Sequence, residues 1–94
     1  MKKGQIRARI AHLKADYETQ SDPHMKVCVI ADMVELAQYI LEEGLEGLYS
    51  HVEDILMWAE ETISKVTPML DDYETLILIE TLESNVGDMY EMIY

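Results

Sequence analysis

Ninety-four residues confine the chain to one domain with one modest core, able to bury about 60–65% of the unfolded surface. Its net charge of −12, from nineteen acids and seven bases, exceeds the magnitude of about 2 to 8 that solubility favours, so a partner is expected to reward the acidity. The single cysteine, Cys28, excludes an intramolecular disulfide, no apolar run approaches the roughly 18 residues of a membrane span, and without an apolar leader a reducing cytoplasm is the expected location.

The spacing predicts a first helix over 3–18. Ile6, Ile10, Leu13 and Tyr17 fall on one face, while Lys2, Lys3, Arg7, Arg9 and Lys14 occupy the others. Residues 1–20 thus form a basic amphipathic helix. From Ala15 onward nineteen acids meet only Lys26 and Lys65, so residues 23–94 form an acidic body and the chain is polarised end to end. The basic helix is expected to lie against this acidic body or a neighbouring copy's, because the field of the rest of the molecule repels nucleic-acid phosphates.

A second helix over 23–43 is apolar over most of its circumference, with Val27, Ile30, Ala31, Val34, Ala37 and Leu41 in one stripe and Val29, Met33, Leu36 and Ile40 in another. Asp32, Glu35, Tyr39 and Glu42 leave one narrow polar seam, so this helix should be buried on two sides as the centre of the fold. Asp22 is its expected N-cap, Pro23 its first residue and Gly44 its C-terminal cap. Cys28 is expected to be buried on it with no base beside it.

Ser50 and Glu53 have capping-box spacing at the start of a third helix over 48–66. Its apolar columns are Leu45, Val52, Ala59 and Val66, then Leu48 and Ile55, widened by Tyr49, Leu56 and Ile63. Opposite, Glu46, Glu53 and Glu60 recur every seven residues, about 10.5 Å apart, with Asp54 and Glu61 beside them. A solvated helix ordinarily interleaves lysines four residues after its acids. Here none precedes Lys65, while Met57 is expected opposite the core and Trp58 at its margin, either exposed as an anchor or tucked under the first helix.

Thr67 and Pro68 read as the start of a fourth helix over 68–92, with Asp71 and Asp72 at the positive end of its dipole and a break near Asn85–Gly87. Ile79, Leu82, Val86, Met89 and Ile93 make a heptad seam. With the apolar tail Met89–Tyr94, this predicts a homodimer or higher homo-oligomer. The reading is an all-α fold: a small four-helix bundle with up-down topology, short loops and a buried second helix.

Chemistry is sparse. His12, His24 and His51 lack a second His or Cys at metal spacing and read as surface or capping residues, so no metal and no cofactor is expected. Glu43 with Glu46, and Asp71 with Glu74, resemble the paired carboxylates of magnesium-dependent helical pyrophosphohydrolases. Gly44 interrupts the first pair, however, and no base is placed for a triphosphate. An acidic interaction protein is the leading expectation. Glu46, Glu53, Asp54, Glu60, Glu61, Asp71 and Asp72, helped by Glu74, would bind a basic surface of a protein partner, and Met57 and Trp58 would supply apolar anchors. In composition alone the chain resembles small phage-encoded inhibitors of host defence enzymes, including the DNA-mimic type; no motif is shared, so no residue role carries over. The alternative is an oligomeric binder of a small anion such as a nucleotide, using Lys3, Arg7, Arg9, Lys14 and Lys26 with Tyr17 as a stacking surface.

Overall fold

Asp22 starts the central helix as the sequence predicts: its carboxylate accepts the His24 amide at 2.9 Å, with Pro23 in the first turn. The computed structural model describes residues 2–94. They form α1 (Lys3–Thr19), α2 (Pro23–Glu42), α3 (Tyr49–Val66) and α4 (Tyr73–Ile93), with 3-10 turns at Glu46–Leu48 and Thr67–Met69. The result is a four-helix bundle measuring 39 × 27 × 17 Å. No described helix is long and apolar enough to cross a membrane.

Both apolar stripes of α2 are used. Val27, Ile30, Met33, Val34, Ala37 and Ile40 are at most 2% exposed, and α2 packs against α1, α3 and α4 alike. Burial of one such branched side chain contributes about 1.5–3 kcal/mol, so this helix holds the bundle together. It stops at Gly44, the one described residue with positive φ (65°). There the Leu45 amide returns to the Ile40 carbonyl at 3.1 Å and the Gly44 amide to Leu41 at 3.2 Å, a Schellman closure that a Cβ would strain.

Side-chain contacts give the helix directions. His24 meets Thr75, at the starts of α2 and α4, so these two run parallel. Tyr90 and Tyr94 stand beside Glu60 and Glu53, so α4 runs antiparallel to α3. Lys3, at the start of α1, overlies Gly47, where an added Cβ would meet its Nζ at 2.5 Å, and Tyr17, near the other end of α1, touches Trp58 in α3. The up-down order is the expected one.

Three local expectations are corrected. Ser50 does not cap α3; the helix begins at Tyr49, continuing directly from a 3-10 turn, and its N-cap position, Leu48, makes no side-chain cap bond. Thr67 and Pro68 do not open α4 but form the turn after α3, where the Thr67 hydroxyl donates back to the Ile63 carbonyl at 2.7 Å. Asp72 caps α4 instead, accepting the Thr75 amide at 3.0 Å, so the helix starts at Tyr73. Nor does Gly87 break it: α4 is continuous to Ile93 because Ile79, Leu82, Val86 and Met89 on both sides of the glycine are anchored in the core.

Candidate partner-binding surface

The buried face of α3 is set by Val52, Ile55, Leu56, Ala59, Ile63 and Val66, together with Thr62, whose hydroxyl donates to the Trp58 carbonyl at 2.8 Å. At 100° per residue, the direction opposite this face belongs to Met57, with Asp54 three residues before it and Glu61 four after it. Met57 is 57% exposed, and Asp54, Glu60 and Glu61 are exposed around it. An apolar side chain thus stands in a ring of carboxylates. One base shares the face: Lys65, 2.9 Å from Glu61 in an exposed pair that raises its own pKa through the hydrogen bond and charge of Glu61.

Trp58 is turned away from this face. Half-buried, its indole meets Tyr17 edge-on at 5.4 Å between ring centroids and 77° between planes, so it joins α3 to α1. Of the two readings of Trp58, the tucked one describes its position.

Glu53 and Glu60 flank the α4 side of the face. The Tyr90 phenol is held above its ordinary pKa by burial, then by the charge of Glu60 and a hydrogen bond to it; that of Tyr94 is raised first by its hydrogen bond to Glu53. The two phenol rings stack at 5.9 Å. Two of the heptad acids therefore serve as acceptors for the end of α4, a role invisible along α3 alone. Glu46 lies in the 3-10 turn before α3, and Asp71 and Asp72 lie beyond its other end, about 27 Å away along an 18-residue helix. The expected acids are thus not one patch. Glu53, Asp54, Met57, Glu60 and Glu61 share a surface, while Glu46 and the Asp71–Asp72–Glu74 group occupy opposite poles.

The six expected anion-binding residues are not brought together either. Lys3, Arg7, Arg9 and Lys14 are exposed, and among the described residues no ion pair joins them to an acid. Lys3 stands about 21 Å along α1 from Tyr17. Tyr17 is 7% exposed, its ring in T-shaped contact with Trp58 and with Lys26 Nζ over its face at 4.1 Å. Lys26 also donates to the Tyr17 carbonyl at 2.7 Å. Tyr17 and Lys26 thus close the α1–α2 corner rather than offer a stacking surface and a free charge.

The heptad seam lies inside the bundle. Ile79, Leu82, Val86 and Met89 are 2–4% exposed in the core of the same chain and Ile93 is half-buried, whereas Met92 and Tyr94 of the apolar tail are 66% and 80% exposed.

Around Cys28 the sequence expectation is corrected. The thiol is half-buried, and His24 Nε2 stands 3.9 Å from its Sγ, one helical turn away. His24 Nδ1 lies 2.9 Å from Thr75 Oγ1, and the Thr75 hydroxyl donates to Asp72, whose pKa is lowered chiefly by that bond and then by the Thr75 amide. An ionised carboxylate only accepts, so the one Thr75 proton is committed to Asp72 and Thr75 Oγ1 must accept from His24. Neutral His24 therefore carries its proton on Nδ1, and Nε2 presents a lone pair to the thiol. His24 is exposed, as expected of a surface histidine, and it also ties α2 to α4.

Among the described residues no three His, Cys, Asp or Glu side chains converge to hold a metal ion. Glu43 and Glu46 are parted by the Gly44 turn, which puts them outside any shared helix face. No protein-family description, curated protein or solved structure matches the chain.

Proposed function

We propose that this protein is an acidic helical interaction module that occupies a basic, nucleic-acid-binding surface of a partner protein by charge mimicry. One observation carries the reading: Met57, 57% exposed, at the centre of an α3 face ringed by Glu53, Asp54, Glu60 and Glu61. The carboxylates stand in for phosphates. They steer a basic surface into encounter, which acts on the association rate, and they are screened by salt. Met57 is the adaptable apolar anchor desolvated on contact, which acts on the dissociation rate. The rigidity that mimicry needs is supplied by the fully buried side of the same helix. The reading assigns the protein no catalytic step.

The test uses a partner recovered on the immobilised protein and eluted by salt. The Glu53, Asp54, Glu60 and Glu61→Gln variant keeps side-chain acceptors for Tyr90 and Tyr94 and removes four charges. Its association rate at low salt should fall at least tenfold, and the wild-type rate should fall with ionic strength to meet it. Equal rates with a flat salt dependence return the acidity to solubility alone.

A second reading, anion binding on α1, rests on the exposed charges of Lys3, Arg7 and Lys14, which share one flank by their spacing and make no ion pair among the described residues. A nucleotide panel in thermal melts separates the two readings. A one-site ligand at a hundred times its dissociation constant adds about 2.7 kcal/mol, whereas a protein-binding module is indifferent.

A further inference from the structure

Between the last turns of α3 and the middle of α4 runs a groove of about 540 Å³. Ile63 and Val86 give it an apolar floor, Glu60 and Glu83 stand on its two walls, and Gly87 borders it. The backbone does not call for glycine at position 87, since its φ is helical, and a Cβ there would meet nothing within 4 Å. A glycine inside a helix is a poor choice for stability. Its effect here is to leave the groove unfilled.

We propose that this groove receives an arginine side chain from a basic protein partner, with the guanidinium between the Glu60 and Glu83 carboxylates and the methylene stem over Ile63 and Val86. The proposal rests on the acidic-surface reading and extends it, because Glu60 belongs both to the Met57 face and to the groove. The groove has two carboxylates on separate helices and no base among the residues that line it. A planar fork of five donors can serve acceptors on both walls at once, where an ammonium is a single point. Guanidinium is also the more weakly hydrated cation, suited to a site with an apolar floor. Tyr90 engages Glu60 without exhausting it, since a carboxylate has about four acceptor positions.

Titration of acetyl-Ala-Arg-Ala-amide, and of the same peptide with citrulline for arginine, into the ¹⁵N-labelled full chain tests this. Arginine peptide should give saturable amide shifts centred on Ser64, Thr67 and Gly87, and the citrulline peptide should bind at least tenfold more weakly, because the isostere lacks the charge. Gly87→Leu should abolish the saturable shifts while melting at or above the wild-type temperature, which excludes misfolding as the cause. Glu83→Gln should weaken binding about tenfold. Citrulline binding within twofold, an unaffected Gly87→Leu protein, or unsaturable shifts spread over all acids would each overturn the groove. Glu83 lies outside the Met57 ring, so the two readings fail separately. Indifference to Glu83→Gln beside a salt-dependent partner association removes the groove alone; arginine binding beside a flat salt dependence removes the mimic alone.

Discussion

Thr75 carries more than its size suggests. It is 2% exposed, its amide and hydroxyl both go to Asp72, and its oxygen accepts from His24, so one hydroxyl serves two partners, Asp72 at the start of α4 and His24 in α2. Thr75→Val keeps the shape and removes the hydroxyl, leaving His24 Nδ1 without its acceptor. The loss should be about 1–3 kcal/mol in denaturant unfolding. Asp72 adds a pH signature. Its folded pKa lies below the ordinary 3.8, so its contribution is complete above that value and is lost as pH falls through the lowered one. Melting temperatures of wild type and Asp72→Ala should therefore differ at pH 7 and converge as the pH drops below 3.8; a constant gap would mean that the charge of Asp72 is irrelevant. Ile30 tests the core from the other direction. At 0% exposure it offers an introduced carboxylate no water and no partner, so Ile30→Asp should cost more than about 4 kcal/mol and leave no cooperative melt.

For the helices as elements, α3 and α4 are joined by Tyr90 and Tyr94 against Glu60 and Glu53. Both phenol pKa values are raised, so the stabilisation they report is fully present below the ordinary value of 10.0 and fades as pH rises through the elevated folded values. Between pH 9 and 12 the melting temperature of wild type should fall more steeply than that of the Tyr90→Phe, Tyr94→Phe protein; parallel curves would detach these phenols from the stability of α4. This pairing also shows where sequence reading stopped. Helices α1 and α2, with the caps at Asp22 and Gly44, were legible because 3.6-residue periodicity and cap chemistry are local. The start of α4 is not legible locally, because Thr67–Pro68 and Asp71–Asp72 are both good local starts, and what accompanies the second is a contact across the fold, from Thr75 to His24. The acid face of α3 was legible as a pattern. That Glu53 and Glu60 border α4 and Trp58 borders α1 depends on which helix lies on which side, and no spacing within α3 states it. One signal was available and missed: His24 and Cys28, four apart on a helix, share a face.

For the whole molecule, burial places the seam of α4 in the core of its own chain. Cutting the chain after Ser84 removes Val86 and Met89, both at most 4% exposed, so the truncated protein should lose its cooperative melt rather than become a stable monomer. A retained melt would place the end of α4 outside the core. The central position of α2 has a further consequence for how the molecule comes apart. α3 and α4 each pack on α2 and on one another, whereas α1 leans chiefly on α2, with Tyr17 reaching across to Trp58. The bundle is therefore a closed triangle with one appended side. In native-state hydrogen exchange, amides of α1 should open together, at a free energy below that of the remaining three helices, as a separate cooperative unit. Each such opening would carry Lys2, Lys3, Arg7, Arg9 and Lys14 away from the acidic triangle and bare the apolar strip that Ile6 and Leu13 cover. Low salt, which strengthens attraction between the oppositely charged parts, should slow exchange in α1 selectively and make its detachment an ionic-strength gauge built from one helix.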